Sequence, residues 1–325
     1  MDNKEQVAFF ERLKDAVPSS FNLAQELADI LETSVDSIYR RMRGQSALTY
    51  SELLLIQRKL NLKQSLLFPI DSIEEVTFVY ARPAYGYDSF LFLQEISNQM
   101  ELVHRRSNLS ILLSSDDLPF FLHFLSPALL QFKLMVFSGD EIHDPENPEE
   151  QNPELINMCT QILKRWLAAN SKEVWGSVPL DSTLKQILYS HENHLITDAY
   201  AVTLLEELRS IVEIVRSWCA SGKKQFQDWE AGDLQLFHSE LNTGEMNMLL
   251  GFGSELTTYK SNYGYGYLKT EHPQYCYETQ EWINDLASKG MLISLSAEKY
   301  RNQYINLLLK SIDDCYKKLN LTANS

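Results

Sequence analysis

The stretch from Leu27 to Gly44, LADILETSVDSIYRRMRG, decides how the first part of this 325-residue chain folds. With Leu23 in front, Leu27, Ile30 and Leu31 make one helical stripe, and Val35, Ile38 and Met42 make a second. Between them, Glu32-Thr33 reads as a tight turn, Ser34 as the N-cap of the second helix and Gly44 as its stop. Ala28 must be small because two helices joined this closely cross at short range, while Leu27, Leu31, Val35 and Ile38 fill the wedge between them. Ser34, Asp36, Ser37, Arg40 and Arg41 are then left on the outer side of the second helix.

The flanks extend the pattern. Val7, Phe10, Leu13 and Val17 predict a helix over residues 4–17, closed by Pro18. Thr49 with Glu52 three residues on predicts a capping box that opens a helix from Tyr50 to Leu60. Pro69 ends this all-helical segment.

Charge divides the chain unevenly. There are 44 acidic and 29 basic residues, a formal net of −15, which argues against a protein that coats nucleic acid or anionic membrane along its whole length. Residues 1–69 are neutral, so the rest carries all of the −15, and residues 34–63 alone hold six basic against two acidic side chains. That +4 strip is the one place that attracts a phosphate backbone. Cys159, Cys219, Cys276 and Cys315 are widely spaced and predict free thiols in a reducing cytoplasm. The charged amino terminus lacks the apolar core of a secretory signal. The most apolar stretch, Leu118 to Phe132, is shorter than the roughly 20 residues of a bilayer span, so the expected location is cytoplasmic, off the membrane.

Residues 27–44 resemble the helix-turn-helix of the phage-repressor and Cro-like family, also called the xenobiotic-response-element (XRE) family. The matching positions are Leu27 and Ala28 on the first helix, the Glu32-Thr33 turn, Ser34 at the start of the recognition helix, Ile38 in its middle and Gly44 at its end, without insertion or deletion. The resemblance implies that helix 34–43 enters the major groove of double-stranded DNA. The amino-terminal residues Ser34, Asp36 and Ser37 would then reach base edges, Tyr39 a sugar or thymine methyl, and Arg41 and Arg43 phosphate, with Arg40 on the same outer side. Two positions depart from the family pattern. Glu32 replaces the usual turn glycine, at about 1 kcal/mol if positive φ is kept; the alternative is a rearranged turn. Arg41 replaces an apolar residue, so that core contact passes to Met42.

Beyond Pro69 the sequence predicts a strand or extended linker over Glu75–Tyr80, helices over Asp88–Arg106 and Asp116–Phe137, and a strand at Leu109–Leu113. Ser138–Glu154, with seven acids and three prolines, reads as an exposed loop. Helices follow at Leu155–Ala169, Ser182–Ser190 and Ile196–Cys219, then strands at Leu234–Leu241, Met246–Phe252 and Glu255–Tyr259, and closing helices at Tyr277–Lys289 and Ser296–Lys318. The expected class is α+β, mainly α with a smaller β component. An all-α helix-turn-helix DNA-binding domain (1–69) precedes an acidic, helix-rich domain (70–325) with a small sheet. That larger part resembles, loosely, the carboxy-terminal portions of bacterial one-component regulators.

Little in the larger part reads as chemistry. His191 and His194 have a weak metal spacing with no third ligand nearby. His272 and Cys276 lack a partner that would activate a thiolate, and Gly251-Phe-Gly253 reads as a hairpin turn, not a phosphate loop. Tyr259, Tyr263, Tyr265 and Tyr267 either line a pocket for a small-molecule effector or form an aromatic sheet face. No catalytic, metal or cofactor set emerges. The expectation is therefore a non-enzymatic, sequence-specific transcriptional regulator acting as a homodimer, with its recognition helices about one DNA turn apart. The alternative is an adaptor or antitoxin-like protein that grips another protein through the same helical module.

Overall fold

A computed structural model describes residues 3–15, 22–60, 62, 75–81, 93–98, 100, 109–138, 153–241, 244–253, 255–262 and 266–320. The chain divides into two compact units, Met1–Glu75 and Val76–Ser325.

The first unit is helical: α1 (Asn3–Asp15), α2 (Leu23–Ile30), α3 (Val35–Met42) and α4 (Tyr50–Lys59). Its core is Phe9, Phe10, Leu13, Leu27, Ala28, Ile38, Leu53 and Ile56, with Leu31, Val35 and Met42 partly buried around it. Met42 packs against this core. Two caps follow the sequence: Ser34 accepts from the Ser37 N–H, and Thr49 and Glu52 form the reciprocal capping box; Asn22, which the sequence reading did not single out, accepts from the Gln25 N–H.

The turn between α2 and α3 keeps the left-handed conformation. Glu32 has φ +49°, and Thr33 N–H donates to Ala28 O at 3.0 Å while Glu32 N–H donates to Asp29 O at 3.4 Å. This is the six-to-one and five-to-two pairing of a Schellman motif, with Glu at the position glycine prefers. The same pairing closes α3, where Gly44 at φ +71° sits between Gln45 N→Arg40 O and Gly44 N→Arg41 O. Because Glu32 carries a Cβ into left-handed space, Glu32→Gly should stabilise the first unit by about 0.5–1 kcal/mol after the extra chain entropy of glycine is subtracted. Amide exchange of α2 and α3 in the full chain would report this as slower opening.

The second unit is built on one sheet, with strands β1 (Val79–Ala81), β2 (Leu109–Ser115), β3 (Asn170–Trp175), β4 (Leu234–His238), β5 (Asn247–Phe252), β6 (Glu255–Asn262), β7 (Gly266–Thr270) and β8 (Met291–Leu292) in the order β1-β7-β6-β5-β2-β3-β4-β8. The β2–β3 and β3–β4 pairs are parallel and the others antiparallel. The helices are α5 (Pro127–Ser138), α6 (Pro153–Ala168), α7 (Asp181–Glu192), α8 (Asp198–Ser221), α9 (Pro273–Lys289) and α10 (Glu298–Lys318), with a 3-10 helix at Phe120–Leu125. Ile111, Leu113, Trp175, Leu234 and Leu236 face the main core with α5–α8 and α10. Leu112, Val174 and Phe237 face Ile283, Leu286 and Ala287 of α9 on the opposite side. Alternation along each strand thus supplies two helical layers.

The class is α+β, but eight strands replace the small sheet the sequence suggests. β3 escapes a search for apolar runs because Ser171, Lys172 and Glu173 interrupt it; Ser171 and Glu173 are nonetheless buried. β7 lies inside the tyrosine-glycine stretch, and β8 has two residues. The expected helix over Asp116–Phe137 is two elements, since Pro127 starts a new helix whose Leu129 N–H is capped by Ser126 Oγ at 3.1 Å. Pro153 and Glu154 open α6 rather than closing the acidic loop; residues 139–152 of that loop and most of the expected helix 88–106 lie outside the described residues. α9 begins at Pro273, four residues before its expected start. Among the described residues, no helix is long and apolar enough to cross a membrane.

Candidate nucleic-acid interface

The outer face of α3 is held in place from behind. Gln6 of α1 is 1% exposed and uses its whole amide: Nε2 donates to Arg41 O at 2.7 Å and to Ser46 O at 2.8 Å, and Oε1 accepts from Leu48 N–H at 2.7 Å. It fastens the end of α3 and the following loop to α1. Sequence reading missed Gln6, although a polar residue on the apolar stripe with Phe9, Phe10 and Leu13 was the signal. Gln6→Leu fills similar space but leaves three backbone groups unpaired, so a loss of about 2 kcal/mol is expected, measurable by amide exchange in the first unit.

Arg41 does not project outward, which corrects its placement on the phosphate-facing side. Its side chain is 14% exposed and Nη2 meets Glu52 Oε1 at 2.7 Å. The other Glu52 oxygen accepts from the Thr49 N–H and hydroxyl, both at 2.8 Å, so one carboxylate caps α4 and ties it to α3. Burial raises the Glu52 pKa, but the Thr49 and Arg41 interactions outweigh it and leave the carboxyl below its ordinary value.

The remaining side chains of α3 define the exposed surface. Asp36 and Arg40 pair across one helical turn, with Arg40 Nε 3.2 Å from Asp36 Oδ2 and side chains 77% and 64% exposed. Tyr39 is 45% exposed, and the Arg43 guanidinium lies 6.0 Å from its ring centroid. Ser34 is exposed at the cap and Ser37 is half-buried. Arg58 and Lys59, in the last turn of α4, are exposed. With Arg40 and Arg41 each matched to a carboxylate, the +4 of the 34–63 strip resides in Arg43, Arg58, Lys59 and Lys63, the last lying outside the described residues.

The second unit uses its candidate groups for packing and capping. Tyr259 is 8% exposed in the main core and meets Tyr267 edge-on at 5.6 Å; burial pushes its hydroxyl up to about 12. Tyr263 and Tyr265 lie outside the described residues. His191 Nε2 is 2.7 Å from Asp198 Oδ1, linking the end of α7 to the start of α8, while His194 sits in the turn at φ +56°. His272 accepts from the Tyr275 N–H as the N-cap of α9, and Cys276 is buried against Thr258. Phe252 stands opposite Glu255 in the β5–β6 hairpin, with Gly253 at φ +59°. All four cysteines are buried and free, and burial pushes the Cys159 and Cys219 thiols up to about 12. Among the described residues no three His, Cys, Asp or Glu side chains come together as a metal site.

No protein-family model matches the chain, and no curated protein does. Among solved structures, the chain is similar to TrmBL2, an archaeal chromatin protein whose structure shows a novel mode of DNA binding, at 12% identity over 83% of this chain and 68% of that one, with a TM-score of 0.27.

Proposed function

We propose that this protein is a sequence-specific DNA-binding transcriptional regulator of the Cro-like type, a binding protein and not an enzyme. The reading takes α3 as the recognition helix, with double-stranded DNA as partner, and the second unit as the source of dimerisation and of effector response. The observation that carries it is the sorting of α3: Ile38, Arg41 and Met42 turn to the core or to α4, while Ser34, Asp36, Tyr39, Arg40 and Arg43 stand in solvent on a short, capped helix. A helix so supported, with Arg43, Arg58 and Lys59 for phosphate, has what major-groove reading requires. The acidic second unit is repelled by phosphate, which favours approach through the first.

Dimerisation has a direct check. Sedimentation equilibrium of the full chain should give twice its 37.6 kDa mass; a monomer that stays monomeric on duplex DNA would remove the paired-half-site form of the proposal. Binding itself is checked by fluorescence anisotropy of a labelled duplex selected by the full chain, which should be displaced far less readily by random duplex; equal displacement would overturn the proposal.

A further inference from the structure

The two arginines of α3 and the one at its C-cap are held in three different ways. Arg41 is bound to Glu52, and Arg43 lies beside the Tyr39 ring. Arg40 is held along its own helix by Asp36, through Nε at 3.2 Å, with both side chains well out of the surface. An aspartate facing DNA is repelled by phosphate, and here it cancels Arg40, so the pair adds nothing to sequence-independent attraction. Its value has to lie in geometry.

Attraction to Asp36 on the Nε side biases the orientation of the planar guanidinium and leaves its two Nη atoms without a partner among the described residues. Two parallel N–H donors fit one base edge in the major groove. Guanine presents two acceptors, N7 and O6, whereas adenine presents N7 and a donor amine that would oppose an arginine donor. The geometry points to Arg40 as a guanine-reading residue and to Asp36 as a positioning residue that sharpens the choice by fixing the fork. This rests on α3 being the recognition helix.

The test is selection of the full chain on a random duplex library, followed by anisotropy titrations of the selected duplex and its guanine-to-adenine variants. The wild type should select a guanine in each half-site, and replacing it should weaken binding about 10–100-fold. Asp36→Asn keeps the size of the side chain and removes its charge. Arg40 is then released toward phosphate, so random duplex should bind more tightly, with a log–log salt slope steeper by about 0.9, while discrimination for that guanine falls at least about 5-fold. Arg40→Lys should keep overall affinity and lose the preference. Arg43→Ala should weaken all duplexes alike and leave the preference in place. The inference is overturned if Asp36→Asn discriminates as well as wild type, or if no selected guanine responds to Arg40→Lys. A wild type that binds duplex with a preference indifferent to both positions overturns this inference alone; one that binds no duplex overturns the parent reading with it.

Discussion

Lys224→Met should destabilise the second unit by about 1–3 kcal/mol, the loss expected when a buried carbonyl is left without its hydrogen-bond donor. Lys224 is fully buried; its Nζ donates to Trp166 O at 2.7 Å and lies 4.2 Å from the Trp166 ring centroid. Trp166 belongs to the last turn of α6, where carbonyls lack helical partners, so the ammonium caps a helix end and meets its dipole. Glu173, 1% exposed, attracts the ammonium electrostatically without a direct ion-pair contact, and accepts from Ser171 Oγ at 2.9 Å and Trp175 Nε1 at 3.0 Å. Methionine matches the length and apolar stem of lysine but leaves the Trp166 carbonyl without its donor. All five tryptophans lie in the second unit, so urea unfolding followed by their fluorescence reports this unit alone.

The same lysine gives a pH signature. Burial lowers its pKa to about 8, against the attraction of Glu173, while the unfolded value is about 10.4. Below pH 8 the ammonium is charged in both states and the burial penalty is fully present. Between about 8 and 10.4 the folded state has released its proton and the unfolded state has not, so this group's contribution to stability rises with pH. Buried thiols act oppositely in that range, since Cys159, Cys219 and Cys315 are pushed up to about 12, 12 and 11. The readout is therefore the gap between wild type and Lys224→Met, which should widen by about 1 kcal/mol from pH 7 to pH 9.

Joint replacement of Arg40 and Arg43 by Ala should reduce affinity for a preferred duplex at least about 100-fold. On the proposed reading Arg40 would supply a base contact worth about 1–3 kcal/mol, and Arg43 a phosphate contact whose loss would lower the salt slope by about 0.9. Both side chains stand outside the core, so folding should be kept, as far-UV circular dichroism can verify. Arg41→Ala is the informative contrast. It strips Glu52 of its partner and disturbs the α3–α4 junction, so its effect should show in the stability of the first unit as well as in binding.

The first unit was legible in sequence because its determinants are local. Ser34, Gly44 and the Thr49–Glu52 box act within a few residues of where they stand, and the apolar period places Leu27 and Ile38. What escaped is long-range: Gln6 reaching α3 and its following loop, and Arg41 turning to Glu52. Helical projection puts Arg41 at the edge of the outer face, and only the position of α4 decides which way it turns. In the second unit, β3 was hidden because a central parallel strand ordinarily reads as an apolar run. Here Ser171 and Glu173 are buried at a cost offset by Trp175 and by the Lys224 charge some fifty residues further on. The tyrosine stretch was legible as aromatic, but which sheet face Tyr259 and Tyr267 occupy depends on the β6–β7 register.

The most direct measurement is anisotropy of the labelled duplex selected by the full chain, competed against unlabelled random duplex at about 0.15 M salt. If α3 reads sequence, wild type should prefer the selected duplex by at least about 1,000-fold, and the Arg40→Ala, Arg43→Ala double variant should lose most of that preference. Equal binding of the two duplexes, or a preference the double variant retains, would contradict the account.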